Sequence, residues 1–322
     1  MDYRKLGRSG LKLSTVSLGS WRTYGVTVDD VGTETCMAAA YDQGVNFFDG
    51  AEGYGDGAAE TAMGRVFRKL GWARETFCVS SKAYHGGSGP IRTSLSRKHL
   101  VEACNAALKR MKFDYLDLYF CHQPDPDTPL DEIVHTMNEL MGRGKILYWG
   151  TSNFSAADLL QMCAIAERDG LVGPTMEQPC YNMLERARVD TELVPVIERY
   201  GLGTTVYSPL SVGILTGKYN NGIPSDSALA QNKYLQKKLS DGILDRVRRI
   251  SALAGEMDMT PAQLALAWCL KNPRVSTVIT GASRPEQVAE NVAAVDCVAR
   301  LTDAVMQRIE TLLAKPRTEE PE

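Results

Sequence analysis

The chain has 322 residues, and its 36 Lys and Arg against 39 Asp and Glu give a formal net charge of -3. This near-neutral balance argues against a nucleic-acid-binding protein, and no apolar run approaches the ~20 residues of a membrane span. The eight Cys occur without a C-x-x-C spacing, which predicts neither a zinc site nor a disulfide framework. The N-terminus lacks the apolar core of a signal peptide. We therefore expect a cytoplasmic protein with no metal site and no insertion into a membrane.

The chain begins with a predicted hairpin over residues 3–13, and strand-like and helix-like segments then alternate. The predicted strands are 16–18, 45–48, 77–82, 116–122, 146–149, 175–178, 204–207 and 275–279. The predicted helices are 30–43, 58–69, 94–109, 129–143, 156–169, 193–200, 241–255, 261–270, 285–295 and 303–314. A long connection over residues 208–239 follows the seventh strand.

Eight strands that alternate with helices predict a parallel sheet that closes into a barrel. The fold class is therefore expected to be α/β, a (β/α)8 TIM barrel with an N-terminal hairpin and extra C-terminal helices. No linker divides the chain, so we expect one domain over residues 1–315 and a disordered tail over residues 316–322.

Four chemically active residues lie at or just beyond the ends of three predicted strands. Asp49 ends the second strand, and Tyr54 follows it in a Gly-rich loop. Lys82 ends the third strand, and His122 ends the fourth. The working residues of such barrels lie at the C-terminal strand ends, so these four are expected to meet.

The chemistry of the four side chains is coherent. A phenol with a pKa near ~10 donates protons poorly at neutral pH, but a neighbouring ammonium would lower the pKa of Tyr54. A carboxylate would keep Lys82 charged, and His122 could donate a hydrogen bond to a substrate oxygen that gains charge. Together they would protonate a carbonyl oxygen while a hydride arrives from elsewhere.

Each residue also has a structural interpretation. Asp49 could stabilise the turn and Tyr54 could cover the core. Lys82 could extend its ammonium to the surface, and His122 could be a structural side chain before Pro124. The combination of all four, in this order, favours the catalytic interpretation.

With these four residues the sequence resembles the aldo-keto reductase family, whose tetrad is Asp, Tyr, Lys and His. The resemblance extends over residues 3 to about 314 and is closest to potassium-channel β-subunits and their bacterial reductase relatives. Further segments that carry it are 4–10, 19–21, 95–99, 148–152, 208–210 and 217–219. It implies an oxidoreductase that reduces small aldehydes or ketones with NADP(H), and it implies a homo-oligomer. It also implies a substrate pocket lined by Trp21, Tyr54, Tyr84, His85 and His122.

The resemblance further implies a cofactor site. Ser152, Asn153 and Gln178 would hold the nicotinamide amide, and Tyr207 would stack on its ring. Arg284 and Lys218 would receive the 2′-phosphate, which favours NADP over NAD. The other implied cofactor residues are Ser20, Trp21, Asp49, Ser208, Pro209, Leu210, Ser211, Gly213, Gly281, Ser283, Gln287, Glu290 and Asn291. Two look-alike motifs, 55–60 for a dinucleotide fingerprint and 213–219 for a P-loop, depart from their patterns and are rejected.

Three departures from the family pattern bear on function. Gly50 replaces a Thr that is frequent after the tetrad Asp, so one cofactor hydroxyl contact is expected to be lost. His122 stands where the channel subunits often carry Asn, which favours an ordinary reductase. Ala228 stands about where those subunits place a phosphate-binding Arg. The alternative function is a cofactor-sensing, weakly catalytic partner subunit of a membrane potassium channel, although the barrel is expected to start without a gating extension before it.

Overall fold

The structure, a computed structural model, describes residues 1–225, 227, 229–230 and 236–314. The predicted tail at 316–322 and the departure at Ala228 lie outside these residues. The strands are β1 (Tyr3–Lys5), β2 (Lys12–Ser14), β3 (Val16–Gly19), β4 (Phe47–Asp49), β5 (Cys78–Ala83), β6 (Leu116–Cys121), β7 (Ile146–Ser152), β8 (Met176–Gln178), β9 (Gly203–Val206) and β10 (Val275–Gly281).

The helices largely follow the predicted segments. They are α1 (Asp30–Asp42), α2 (Ala58–Leu70), α3 (Arg97–Met111), α4 (Leu130–Gly142), α5 (Ala156–Asp169), α6 (Val194–Tyr200), α7 (Asp241–Glu256), α8 (Pro261–Lys271), α9 (Pro285–Cys297) and α10 (Asp303–Leu313). Short 3-10 turns lie at Arg74–Thr76, Ile214–Thr216 and Val298–Arg300, and a π-helical turn lies at Arg188–Glu192. No helix in the described part of the chain is long and apolar enough to cross a membrane.

The predicted barrel is confirmed. Strands β3 to β10 form a closed parallel barrel in sequence order, in which β10 pairs with β3. Helices surround it, as in a (β/α)8 TIM barrel. The hairpin β1–β2 is antiparallel and stands apart from the barrel sheet, as predicted.

The hairpin closes the N-terminal end of the barrel. Leu6 and Leu13 are fully buried in one cluster with inward-facing barrel residues such as Phe47 and Phe120. At Gly7, which has φ +55, an added Cβ would lie 2.2 Å from the Gly201 carbonyl oxygen, just before β9. The chain therefore needs glycine there, and the opposite, C-terminal mouth is left for a site.

Several strand limits differ from the predicted ones because pairing, not composition, sets them. β7 continues past its apolar run to Ser152, since Gly150, Thr151 and Ser152 pair with the three residues of β8. Conversely, β4 is shorter than predicted and begins at Phe47. The π-helical turn Arg188–Glu192 has no signal in the sequence pattern.

Candidate active site

Alternation along the strands brings the predicted residues to the inside of the barrel. Phe47 belongs to the inner core cluster, so Asp49, two residues later, faces inward as well. The same period of two relates Phe120 to His122 at the end of β6. The side chains that end these strands therefore converge at the C-terminal mouth of the barrel.

Lys82 is the centre of this group. It is fully buried, and its ammonium donates to the Asp49 carboxylate at 2.6 Å and to the Gly50 carbonyl oxygen at 2.7 Å. The hydroxyl of Tyr54 lies 3.4 Å from the same Nζ. This geometry excludes the surface-lysine interpretation, because the ammonium points into the barrel mouth. Burial lowers the pKa of Lys82, and the Asp49 carboxylate opposes that effect.

The expected effect of Lys82 on Tyr54 is wrong in this structure. Burial raises the pKa of the Tyr54 phenol well above its usual value, and the nearby Asp49 and Tyr207 raise it further. The Lys82 ammonium, 3.4 Å from the hydroxyl, does not reverse this shift, because burial is its largest cause. The phenol of Tyr54 is therefore protonated at neutral pH.

His122 lies beside this phenol. The ring centroids of Tyr54 and His122 are 5.6 Å apart, with the rings nearly perpendicular. Burial lowers the pKa of His122 well below its usual value, and the charge of Lys82 lowers it further, so the imidazole is neutral. Its Nδ1 is buried without a hydrogen-bond partner. A buried polar atom without a partner, on a ring that packs beside the phenol, is unusual in a folded protein and is typical of a functional site.

The residues predicted for the nicotinamide amide are connected to this group. Gln178 donates from Nε2 to Asp49 Oδ1 at 3.2 Å, and Ser152 donates from its hydroxyl to the Gln178 carbonyl oxygen at 2.8 Å. Asn153 follows Ser152, and its Oδ1 accepts a hydrogen bond from the Tyr207 hydroxyl at 3.0 Å. Ser20 donates to the Asp49 main-chain oxygen at 2.9 Å. These five residues lie at the ends of four strands, β3, β7, β8 and β9, at the mouth of the barrel.

The backbone beside these residues is strained in an unusual cluster. Asn153 has φ 63, and in the loop after β9 Ser208, Ser211 and Val212 have φ values of 52, 48 and 56. Left-handed conformations of residues other than glycine cost free energy and gather at functional sites. Pro209 and Leu210 lie within this loop. In its continuation an added Cβ at Gly213 would approach Lys218 Nζ to 2.9 Å, so the exposed Lys218 passes over Gly213.

The residues predicted for the phosphate end surround the start of α9. Arg284 precedes that helix as its N-cap residue, it is exposed, and it makes no side-chain cap hydrogen bond. Ser283 donates from its main-chain N–H to Gln287 Oε1 at 2.8 Å. The others are Gly281 at the end of β10, the half-buried Glu290 and the buried Asn291. The first main-chain N–H groups of the helix and an exposed guanidinium suit an anion.

The predicted substrate residues are partly exposed at the same mouth. The relative exposure of Trp21 is 46%, which is high for a Trp. Tyr84 is half-buried and His85 exposed, and their ring centroids are 4.5 Å apart. Their position after β5 agrees with a pocket rim.

Gly50 does not support the expected loss of a cofactor hydroxyl. An added Cβ would lie 3.1 Å from both Met111 Cε and the Ser80 carbonyl oxygen, with Glu60 Cγ next. Met111 and Glu60 belong to α3 and α2, so a side chain at position 50 would point outward to the helices. A Thr hydroxyl at position 50 would therefore face the helices and would not reach a cofactor at the barrel mouth.

Sequence reasoning missed three acceptors and donors that hold the mouth together. Ser80 donates to Asp49 Oδ1 at 2.7 Å. Glu52 is buried and accepts hydrogen bonds from the Tyr84 N–H and from His99 Nε2, both at 2.8 Å. Glu177, beside Gln178, is fully buried. Neither glutamate carries a distinct signal in the sequence, since Glu52 lies in a Gly-rich loop and Glu177 stands beside Gln178.

Comparison with known proteins gives one consistent result. The model described as "Aldo/keto reductase family" matches residues 15–314. A "Probable voltage-gated potassium channel subunit beta" of Arabidopsis thaliana is 46% identical over 325 residues, which cover 99% of each chain. The Oryza sativa subsp. japonica protein of the same description is 45% identical, again over 99% of each chain. A "Putative voltage-gated potassium channel subunit beta" of Schizosaccharomyces pombe is 46% identical over 97% of this chain and 93% of its own.

Proposed function

Because the chain belongs to the aldo/keto reductase family, we propose that it reduces aldehydes or ketones to alcohols with NADPH and that Tyr54 is the proton donor. The observation that carries this proposal is the fully buried Lys82, whose ammonium lies between the Asp49 carboxylate and the Tyr54 hydroxyl. A buried ion pair is costly to desolvate and is often no more stabilising than a well-packed apolar pair, so stability alone does not explain the Asp49–Lys82 pair.

Tyr54 supplies the proton in this proposal. Its pKa is raised by burial, so the phenol holds its proton until a carbonyl oxygen at the mouth gains negative charge. Lys82, 3.4 Å from the hydroxyl, then stabilises the phenolate that proton transfer leaves. Asp49 holds the ammonium in place throughout.

His122 would orient the substrate. The neutral imidazole lies beside the Tyr54 phenol, and one of its ring N–H groups would donate to the carbonyl oxygen. A hydrogen bond to that oxygen stabilises the transition state more than the ground state, because the charge develops during the reaction.

The residues present fit a nicotinamide dinucleotide. Ser152, Asn153 and Gln178 would hold the amide of the nicotinamide and Tyr207 would cover its ring, while Lys218 and Arg284 would receive the 2′-phosphate. The strained loop after β9 and the uncapped start of α9 support this assignment. When bound, the dinucleotide would supply the hydride.

A second candidate is a cofactor-sensing partner subunit of a membrane potassium channel. The observation that favours it is the similarity to the Arabidopsis protein named as a probable channel β-subunit, at 46% identity along nearly the full length. The complete tetrad, with His122 at its fourth position, favours the reductase.

The test is turnover with a panel of aldehydes and ketones, followed by the loss of NADPH absorbance. We expect measurable turnover that Tyr54→Phe abolishes while NADPH binding persists. The matched control is Tyr119→Phe, since this buried phenol donates to the Leu100 carbonyl oxygen, at 3.0 Å, outside the tetrad. Tight NADPH binding by the wild type without turnover of any carbonyl would contradict the reductase and support the channel partner.

A further inference from the structure

The segment that follows β7 contains a strained backbone conformation, which other contacts must stabilise. Asn153 is in the left-handed region, with φ 63, which an Asn tolerates better than most residues but still at a cost. In this conformation its Oδ1 accepts the Tyr207 hydroxyl at 3.0 Å and its Nδ2 lies 3.2 Å from Ser152 Oγ. The backbone conformation at position 153 therefore determines where three polar groups of the mouth lie: the Asn153 amide, the Ser152 hydroxyl and the Tyr207 hydroxyl.

Glu177 lies directly behind this segment. It precedes Gln178 on β8, and alternation sends the two side chains to opposite faces, with Gln178 inward and Glu177 outward. The carboxylate accepts the main-chain N–H of Phe154 at 3.2 Å. It also accepts the Thr151 hydroxyl, and the nearby main-chain N–H of Asn153 lowers the pKa of this carboxyl. One fully buried carboxylate therefore satisfies donors on both sides of the strained residue.

Arg188, in the π-helical turn, completes the arrangement. Its Nη2 lies 3.6 Å from Glu177 Oε1, and the same guanidinium donates to the Phe154 carbonyl oxygen. π-Helical turns are rare and are frequently found at functional sites. Here the turn carries a cation to the acid that is hydrogen-bonded to Thr151 and Phe154, so the segment is held from two sides.

The charge state of Glu177 supports a role beyond packing. Burial raises the pKa of this carboxyl to about 7, against the lowering effects of Thr151, Arg188 and the two main-chain N–H groups. The other ionisable group that faces it is Cys121 of β6, whose thiol pKa is raised well above its usual value by burial and by this carboxylate. Around neutral pH, Glu177 is therefore the group of this cluster that titrates.

We propose that Glu177 is a positioning residue for the nicotinamide cofactor, because its carboxylate, paired with Arg188, fixes the segment 152–154 in the conformation that presents Ser152 and Asn153 at the mouth. The proposal rests on the proposed function. Glu177 itself does not touch the cofactor; it acts through the main-chain groups that it binds.

The experiment compares Glu177→Ala and Glu177→Gln with a matched control, Asp117→Ala. Asp117 is also a buried barrel acid that accepts a main-chain N–H, from Val79 at 2.8 Å, and pairs with an arginine, Arg74 at 2.5 Å. It lies near the start of β6, away from the mouth. Two quantities are measured in each protein: amide hydrogen exchange at residues 152–155 without cofactor, and the Kd for NADPH by fluorescence titration from pH 6 to pH 8.

We expect Glu177→Ala to accelerate exchange at 152–155 and to weaken NADPH binding by about tenfold or more, the scale of lost buried hydrogen bonds. Glu177→Gln keeps an acceptor oxygen and should restore most of the affinity at pH 7. The carboxylate form accepts the N–H groups best, so wild-type affinity should rise with pH through about 7, and this step should be missing in Glu177→Gln. Asp117→Ala should alter neither quantity at the mouth.

Exchange and affinity in Glu177→Ala that match those of Asp117→Ala would overturn the positioning role. If Glu177→Ala does not fold, Glu177→Gln provides the test: the same rise of NADPH affinity with pH as in wild type would also overturn the positioning role. A wild-type protein that binds no nicotinamide dinucleotide would instead overturn the proposed function, and the positioning role with it, whatever the exchange data.

Discussion

The ammonium of Lys82 lies 3.4 Å from the hydroxyl of Tyr54, inside a barrel mouth where Lys82 has no exposed surface. These two residues are 28 positions apart in the chain, on β5 and on the loop after β4. Their approach depends on the parallel pairing of β4 with β5, in which Phe47 lies opposite Cys78. The proposed proton transfer depends on this contact.

Replacing Lys82 with Met should separate catalysis from cofactor binding. Turnover should fall by about a hundredfold or more, the scale of general acid catalysis, because the phenolate loses its stabilising charge. NADPH affinity should change little. The measurements are steady-state turnover with the best aldehyde and NADPH fluorescence titration. Full activity in Lys82→Met would show that the four residues are structural.

The same substitution has a second, separable effect on stability. It leaves the Asp49 carboxylate buried without its cation, which should cost about 3–5 kcal/mol of unfolding free energy. The double variant Lys82→Met with Asp49→Asn should recover much of that loss in urea denaturation and still lack turnover. Recovery of turnover together with stability would mean that Lys82→Met acts by unfolding the mouth.

Replacing His122 with Asn tests the role of the imidazole. A donor of similar reach remains, so folding and NADPH binding should persist, but the single-turnover rate at saturating aldehyde should fall by about ten- to a thousandfold. Stopped-flow fluorescence of bound NADPH measures this rate. The control is His135→Asn, because His135 is an exposed histidine paired with Asp169 at 3.0 Å. Equal rates in wild type and His122→Asn would leave His122 as a structural side chain.

His122 should also make the fold sensitive to acid. Its pKa is lowered in the folded state, so below about pH 6.5, the usual value, the unfolded chain takes up a proton that the folded protein refuses. The contribution of His122 to stability is thus fully present above that pH and is lost as the pH falls toward the folded pKa. Urea denaturation at pH 7 and pH 5.5 should give a drop of about 1 kcal/mol more in wild type than in His122→Asn. An equal loss of unfolding free energy in the two proteins would show that the imidazole is hydrated in the folded state and that its pKa is not lowered.

Arg284 should distinguish the two dinucleotides. If its guanidinium binds the 2′-phosphate, Arg284→Ala should weaken NADPH by about 1.5–3 kcal/mol and NADH much less, as expected for a charge-assisted contact. Arg284→Lys keeps the charge and should retain part of the preference. Equal losses for NADPH and NADH would remove Arg284 from the phosphate site and leave Lys218 as its remaining predicted cation.

The alternation of elements was sufficient to predict the barrel. Hydrophobic periodicity records which face of each strand and helix is buried, and it is local in the chain. The order of Asp49, Tyr54, Lys82 and His122 along successive units was also readable, because strand ends in a parallel barrel share one rim. The strand limits were less certain, since β7 extends to Ser152 only through its pairing with β8.

The electrostatics of the site were decided by the tertiary structure. The pKa of Tyr54 depends on its burial and on Asp49 and Tyr207, the last of which is 153 positions away in the chain (207 − 54). The link from Gln178 to Asp49 spans 129 positions. Glu177 reads in the sequence as an acid beside a glutamine, and only the fold places its carboxylate behind Asn153. Residue types and their order determine which groups are available at the mouth. Desolvation and charge pairing act through space, so the closed barrel determines which of these groups are protonated and which of them bind main-chain atoms.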